Sequence, residues 1–186
     1  MTADELFAEF PQLETERLIL REFKQVHAED VFKLLSDERV TRYESREPFT
    51  RLEQAQGYVR WREFVTRKKS EGIIWAMSPR DRDEVIGDIG YNPQHRFNAE
   101  IGFKLRPDHW NKGLMSEALC AVVHFLFTRT EIKRIEALTR PENLASARVL
   151  EKNAFQKEGV LRECEHHKGE SYDMAVYALL KREYDV

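Results

Sequence analysis

Residues 101–127 read IGFKLRPDHWNKGLMSEALCAVVHFLF, and this stretch decides the fold. Residues 99–105 predict a strand that stops at Arg106-Pro107, since proline ends the alternating pattern. Residues 113–128 predict a long helix, because apolar side chains return at intervals of three and four. A strand, a charged turn and a helix in this order predict the first part of a strand–helix–strand crossover.

The turn before this helix, Asn111-Lys112-Gly113, has the features of an anion-binding site. A helix begins with backbone N–H groups that lack intrahelical partners and with the positive end of its dipole, and both favour phosphate. Gly113 has no Cβ to keep a phosphate from the backbone, Lys112 adds positive charge, and Ser116 could donate a hydrogen bond. An ordinary helix start could show the same residues. The chain has neither a G-x-x-x-x-G-K-[ST] loop nor a G-x-G-x-x-G fingerprint.

The rest of the chain predicts a mixed sheet with helices on both faces. We expect strands over residues 17–23, 73–77, 84–91, 99–105, 132–139, 159–165 and 172–180, and helices over residues 28–35, 51–67, 113–128 and 143–152. Short turns join the three strands between 73 and 105, which predicts an antiparallel meander, whereas the crossover after 105 predicts a parallel pair. The expected order is β-α-α-β-β-β-α-β-α-β-β, an α/β domain of three layers.

Composition and charge argue against several classes of protein. The 186 residues suit one domain, which we expect over 1–186 with a loose leader at 1–12, and 41% are hydrophobic, enough for a core. Charged residues make up 34%, with mixed signs and a net charge of −3, unlike a nucleic-acid-binding protein. The sequence has no membrane-spanning run, no signal-peptide pattern, and two cysteines that form neither a disulfide framework nor a zinc motif. We therefore expect a cytoplasmic protein without a metal ion.

Several segments, taken in order, resemble one family. The matching segments are LETERLILR at 13–21, IGDIG at 86–90, AEIGF at 99–103, WNKGLMSEA at 110–118 and RPENLASARVLEK at 140–152. Together they resemble the GNAT superfamily of N-acetyltransferases, and within it the RimJ/RimL type, which includes the ribosomal-protein N-terminal acetyltransferases. The resemblance implies the GNAT acyl-CoA N-acyltransferase fold, a mostly antiparallel sheet with a central parallel strand pair, and acetyl-CoA as co-substrate.

The resemblance places the pyrophosphate of the cofactor at the helix start. The residues that it implies for cofactor binding are Phe103, Lys104, Leu105, Trp110, Asn111, Lys112, Gly113, Leu114, Met115, Ser116, Asn143 and Ser146. Two positions depart from the family pattern. Met115 stands where Gly or Ala is usual, so its side chain must point away from the phosphates. Ala154 stands where Gly is usual, and we expect Asn153 to take the left-handed conformation instead.

Acetyl transfer to an amine is aminolysis of a thioester, and the amine must be neutral to attack. An α-amino group has a pKa of about 8, so a modest base suffices for it, whereas a lysine near about 10.4 needs more help. The resemblance implies Glu100 as the base, on the strand beside the site. The alternative is a surface carboxylate paired with a neighbouring arginine.

The thiolate of CoA leaves and must be protonated, and the resemblance implies Ser146 as the acid. Ser146 could instead bind the pantetheine arm or simply lie in a first helical turn, while Tyr172 and Tyr177 are weaker candidates for the acid. Asn143 is predicted as a helix N-cap, to which the resemblance adds a hydrogen bond to the cofactor. Backbone N–H groups at 103–105, freed by a strand bulge, are expected to face the thioester carbonyl and the pantetheine amides.

Three functions fit the sequence. The leading hypothesis is acetylation of a protein N-terminus. The alternatives are acetylation of a small amine (a polyamine, an antibiotic or an amino acid) and acyl-CoA binding without turnover. Residues 28–70 are expected to shape the acceptor cleft, and their mixed charges favour neither kind of acceptor. A homodimer would rest on analogy alone.

Overall fold

The computed structural model describes residues 10–67, 72–95 and 97–184. The strands in this part of the chain are β1 (Leu13–Glu14), β2 (Leu18–Arg21), β3 (Ile73–Pro79), β4 (Gly87–His95), β5 (Asn98–Leu105), β6 (Arg134–Thr139), β7 (Gln156–His167) and β8 (Glu170–Leu180). They form one sheet in the order β1-β2-β3-β4-β5-β6-β8-β7. The meander predicted over 73–105 corresponds to β3, β4 and β5, which are adjacent and antiparallel.

The neighbouring strands run antiparallel except for β5 and β6, which are parallel, as predicted for the crossover. Within the described residues their ladder has three residue pairs and ends at Glu100 opposite Glu136. Beyond this point the two strands diverge, while β5 stays paired with β4 as far as Leu105 opposite Gly87. A gap therefore opens between β5 and β6 toward their carboxyl ends.

Helices cover both faces of this sheet. They are α1 (Ala28–Leu35), α2 (Glu38–Thr41), α3 (Leu52–Arg67), α4 (Leu114–Arg129) and α5 (Leu144–Lys152). Helices α4 and α5 share one apolar core with Trp75 of β3, while α1 and α3 share a second core with Ala76. Neighbouring residues on one strand thus enter opposite cores, which confirms the three-layer α/β architecture. In the described part of the chain, no helix has the length and apolar character needed to cross a membrane.

The limits of most elements follow their apolar patterns. Helix α1 has the predicted bounds, because its buried residues Ala28, Val31, Leu34 and Leu35 share one face. Strand β4, by contrast, begins at Gly87 rather than at residue 84. Val85 is buried and apolar, which resembles a strand, but its N–H donates to the Asp30 carboxylate at 3.0 Å. The short elements β1 and α2 were not predicted.

The turn after α5 differs from expectation, because Ala154 rather than Asn153 is left-handed. Ala154 has φ 64° and Asn153 has φ −101°. The Phe155 N–H reaches back to the Leu150 carbonyl at 3.1 Å, and the Ala154 N–H reaches Glu151 at 3.1 Å. These bonds end the helix and place the reversal at Ala154, where a Cβ costs about 1 kcal/mol.

The predicted leader lies only partly within the described residues. Residues 1–9 are outside them. Phe10 packs edge-on against the Trp75 ring, with centroids 6.3 Å apart. The Pro11 carbonyl accepts a hydrogen bond from Trp75 Nε1 at 2.6 Å. The last residues of the predicted leader therefore contact the core.

Candidate active site

The gap between β5 and β6 exposes a backbone edge. Within the described chain, residues 101–105 have no ladder partner on the β6 side. They pair with β4 on the other side without a register shift, and the shift in that ladder lies between Pro93 and His95. The predicted bulge at 103–105 is therefore wrong, and the divergence of the strands frees the backbone groups instead. Such an edge can bind an extended ligand as an additional strand would.

The loop at the start of α4 has the geometry of an anion-binding turn. It follows a short 3-10 helix, Pro107–His109, at the end of β5. Asn111 and Gly113 both have positive φ, 59° and 77°. Gly113 is the N-cap of α4 and has no side chain, so it cannot cap the first-turn N–H groups. Left-handed residues in such a turn orient successive N–H groups toward an anion.

The irregular residue of this loop, Met115, is buried. Its side chain is 6% exposed and belongs to the core between α4 and the sheet. The loop therefore tolerates Met115, since the bulk of that side chain lies in the core and not on the exposed side of Gly113.

Two further side chains, Trp110 and Asn143, form hydrogen bonds to the backbone near the ends of β5 and β6. Trp110 Nε1 donates to the Leu105 carbonyl at 2.7 Å and ties the turn to the end of β5. Asn143 Oδ1 accepts from the Ser146 N–H at 3.2 Å, which confirms Asn143 as the N-cap of α5. This cap uses the amide oxygen, so the amide NH₂ group can still donate to a ligand. Ser146 lies partly buried in the first turn of α5.

Glu100 lies at the last residue pair before the strands diverge. Its side chain is half-buried, and Oε2 accepts a hydrogen bond from Gln94 Nε2 at 3.0 Å. Burial raises the pKa of Glu100, and the carboxylates of Glu136 and Glu165 raise it further. Among the described residues Glu100 has an amide partner, Gln94, while the neighbouring Arg96 lies outside them, so pairing with an arginine stays an alternative. A raised pKa makes this carboxylate a stronger base than an exposed glutamate.

Comparison with known proteins agrees with this geometry. The family described as the acetyltransferase (GNAT) domain matches residues 17–156. The chain belongs to the GNAT acetyltransferase family. The uncharacterized N-acetyltransferase YoaA of Bacillus subtilis is 41% identical over 175 residues, covering 92% of this chain and 98% of that protein. An acetyltransferase (GNAT family) structure from Bacillus anthracis superposes with a TM-score of 0.84 at 29% identity, covering 93% of this chain and 100% of that one.

A third relative supports the finer resemblance. The ribosomal-protein-serine acetyltransferase of Escherichia coli is 35% identical over 98 residues, covering 52% of this chain and 55% of that protein. The resemblance to the RimJ/RimL type of GNAT protein is thereby confirmed. The chain is an acetyl-CoA-dependent N-acetyltransferase.

In this GNAT domain, the Lys104 side chain lies among charges buried beneath α3. Its Nζ is 3.0 Å from Asp88 Oδ1 and 3.4 Å from Glu44 Oε1. The Tyr58 hydroxyl donates to Asp88 at 3.0 Å and in turn accepts from Arg62. The Lys104 side chain is therefore held by carboxylates of the protein, and the Lys104 carbonyl lies against Gly87 of β4. Sequence analysis missed this network, although a charged Asp88 within the buried segment IGDIG is itself a signal that a partner exists.

The two tyrosines of this GNAT domain that were considered as acids have other partners. The Tyr172 hydroxyl donates to Glu170 at 2.8 Å, and its ring lies 3.5 Å from the guanidinium carbon of Arg140. Tyr177 is 4% exposed, and its hydroxyl is 3.5 Å from Glu151 of α5. The hydrogen bond to Glu170 raises the pKa of Tyr172, and burial raises that of Tyr177. Each tyrosine hydroxyl thus already has a carboxylate partner, and the assignment of the acid to Ser146 stays a prediction.

Proposed function

We propose that this enzyme acetylates the α-amino group of a protein N-terminus. The observation that carries the proposal is Glu100, a half-buried carboxylate at the opening of the gap, whose pKa is raised by burial and by neighbouring carboxylates. An α-amino group loses its proton near pH 8, so a carboxylate base of this strength is sufficient for it. The likeness to the E. coli ribosomal-protein-serine acetyltransferase supports the same acceptor.

We assign the cofactor to the gap and the loop before α4. The uncapped N–H groups after Gly113 and the positive φ of Asn111 fit a pyrophosphate, and the free edge at 103–105 fits the pantetheine amides. The amide NH₂ of Asn143 is a further donor toward the cofactor. Acetyl-CoA supplies the thioester that the amine attacks. The other residues of the loop that we assign to cofactor binding are Trp110, Lys112, Leu114, Met115 and Ser116.

The chemistry requires two proton transfers. Glu100 accepts the proton that the amine loses, directly or through water, as the new N–C bond forms. The C–S bond then breaks, Ser146 protonates the departing thiolate and regains a proton from water, and Glu100 returns its proton to the solvent. Backbone N–H groups within 103–105 that face the gap, at Phe103 and Leu105 because Lys104 faces β4, stabilise the charge that develops on the carbonyl oxygen. The base Glu100 belongs to β5, and the acid Ser146 belongs to α5.

The proposal is tested by release of free thiol from acetyl-CoA. The acceptors are peptides with free or blocked N-termini, peptides with an internal lysine only, and polyamines. We expect release with free N-termini alone, and mass spectrometry should locate the acetyl group on the α-amine. Preference for a polyamine would favour the small-amine alternative. Cofactor binding with no release for any acceptor would favour a binding module.

The assigned residues are tested with the best peptide. Glu100→Gln keeps the shape of the side chain but removes the base, so kcat/KM should fall by about 10² or more. Ser146→Ala should lower kcat with a smaller effect on the KM of the peptide. Glu163→Gln, a change of an exposed β7 carboxylate, is the matched control and should retain full activity. Unchanged turnover in Glu100→Gln would mean that another group is the base.

A further inference from the structure

Helix α4 carries a carboxylate, Glu117, that binds the segment preceding β2. Its Oε1 accepts from the Thr15 hydroxyl at 2.5 Å and from the Arg17 backbone N–H at 2.9 Å. Its Oε2 lies 2.7 Å from Arg17 Nε and 2.6 Å from an Arg17 terminal nitrogen. Glu117 therefore accepts from the hydroxyl, the backbone and the guanidinium at once, and it joins the first turn of α4 to the edge of the sheet.

The same guanidinium also contacts the phosphate loop. Arg17 Nη1 donates to the Lys112 carbonyl at 2.9 Å. Arg17 Nη2 lies 3.5 Å from the position that a Cβ on Gly113 would occupy. The peptide bond between Lys112 and Gly113 is trans, so its C=O and N–H point in opposite directions. With the carbonyl held toward Arg17, the Gly113 N–H must point away from it.

The positive charge of Arg17 is paired with the negative charge of Glu117. Three of the five Arg17 N–H donors have partners in the protein, because Nε and Nη2 contact the Glu117 carboxylate and Nη1 donates to the Lys112 carbonyl. Burial alone would raise the pKa of Glu117, but the hydrogen bonds from Thr15 and Arg17 lower it below its ordinary value. The pair is therefore charged at neutral pH, and its net charge is close to zero. The Lys112 carbonyl that Arg17 holds is therefore a route by which this pair acts on the loop.

We propose that Arg17 and Glu117 are positioning residues, which fix the peptide orientation of the Lys112-Gly113 turn before the cofactor pyrophosphate binds. A loop already in its bound conformation loses less entropy on binding, so the pair increases affinity for the cofactor through the loop that it holds. The inference rests on the proposed assignment of the pyrophosphate to residues 111–116. It implies that the segment LETERL at 13–18, far from the loop in sequence, helps to order the cofactor site.

The test compares Arg17→Ala, Glu117→Ala and the double variant with wild type. The dissociation constant for CoA, measured by calorimetry, and the KM for acetyl-CoA should each rise about tenfold in either single variant, with kcat nearly unchanged. The double variant should be no worse than either single one, because both remove the same unit. Arg80→Ala is the control, since Arg80 binds the same segment through the Thr15 carbonyl at 2.8 Å and Glu14 at 3.0 Å. It should retain wild-type affinity.

A truncated co-substrate separates positioning from general damage. S-acetylpantetheine lacks the pyrophosphate, so kcat/KM for it should be the same in wild type and Arg17→Ala while that for acetyl-CoA falls. Equal losses with both co-substrates, or unchanged affinity for CoA, would overturn the positioning role. Glu117→Gln keeps an acceptor for Thr15 and should fall between wild type and Glu117→Ala, which guards against a variant that fails to fold. Wild type that binds no CoA would instead overturn the proposed function itself.

Discussion

At the scale of single residues, the carboxylates around Glu100 shift the pH at which the proposed base loses its activity. Burial, then Glu136 and Glu165, raise the pKa of Glu100 above its ordinary value of 4.5. Because the free α-amine has a pKa of about 8, kcat/KM should fall first as the amine is protonated, and protonation of Glu100 should add a second, steeper acid limb at a lower pH that lies above 4.5. Glu136→Gln removes one neighbouring charge, lowers the pKa of Glu100 and should move this acid limb to lower pH. The measurement is a pH profile of kcat/KM for both proteins.

Glu163→Gln provides the comparison for that profile. Glu163 is an exposed carboxylate on the same strand as Glu165, and it is not among the charges that shift Glu100. Its replacement should leave the acid limb where it is. If Glu136→Gln also leaves the limb in place, the group that titrates there is not Glu100.

Ala154 is a residue where sequence and backbone disagree. It is exposed and has φ 64°, a conformation that glycine adopts without strain. Ala154→Gly should therefore raise the free energy of unfolding by up to about 1 kcal/mol and Tm by roughly 2–4 °C. Ala121→Gly, within α4, should do the opposite by about 1 kcal/mol, because its backbone is helical. Urea unfolding measures both, and a loss of stability in Ala154→Gly would contradict the strain.

At the scale of elements, apolar periodicity predicts the bounds of a strand or helix better than the point where two paired strands diverge. The 28–35 helix and the 99–105 strand were predicted to within one residue, because each buries a regular apolar face. The parallel pairing of β5 with β6 was predicted too. The length of that pairing was not, since the divergence after Glu100 depends on the surrounding tertiary packing. A local bulge was predicted in its place, and the observed one lies in the β4–β5 ladder near Pro93.

The N-terminus of α5 lets the two roles of Asn143 be separated. Asn143→Ala removes the acceptor for the Ser146 N–H and should lower the free energy of unfolding by about 1 kcal/mol. Asn143→Ser restores a capping oxygen and should restore that stability. Serine offers no amide NH₂ group, so the affinity for CoA should stay below wild type if Asn143 also contacts the cofactor. Urea unfolding and calorimetry distinguish the two, and full affinity in Asn143→Ser would leave Asn143 as a cap only.

At the scale of the whole molecule, one buried network connects α3 and the segment after α2 to the strands that form the gap. Asp88 of β4 accepts from Lys104 of β5 and from Tyr58 of α3, and Glu44 pairs with Lys104 from the other side. These contacts hold Glu44 and Tyr58 against the sheet, within the segment 28–70 that is expected to shape the acceptor cleft and whose residues 68–70 lie outside the described part of the chain. An apolar pattern in the sequence predicts which faces of the elements pack together. The charged residues of this network are far apart in the sequence, and no pattern predicts that they meet in the fold. This is why the network was not predicted.

Charge balance within this network predicts how the fold responds to mutation and to acid. Asp88 is 2% exposed, so Asp88→Ala leaves the Lys104 charge buried without its main partner and should destabilise by about 3–5 kcal/mol. Asp88→Asn combined with Lys104→Met removes both charges and should cost much less in urea unfolding at pH 7. A double variant as unstable as Asp88→Ala would mean that packing, and not charge, dominates this site.

The pH dependence of stability follows from the same pair. Burial alone would raise the pKa of Asp88, but Lys104 and Arg62 bring it below its ordinary value of 3.8. A carboxylate with a lowered pKa stabilises the fold above its unfolded pKa and loses that contribution as the pH falls through the folded pKa. Wild type should therefore lose unfolding free energy steeply below about pH 4, and the double variant should show a shallower dependence because it has no charge to neutralise. If wild type and the double variant show the same slope of unfolding free energy against pH between pH 3 and 6, the acid sensitivity belongs to other carboxylates.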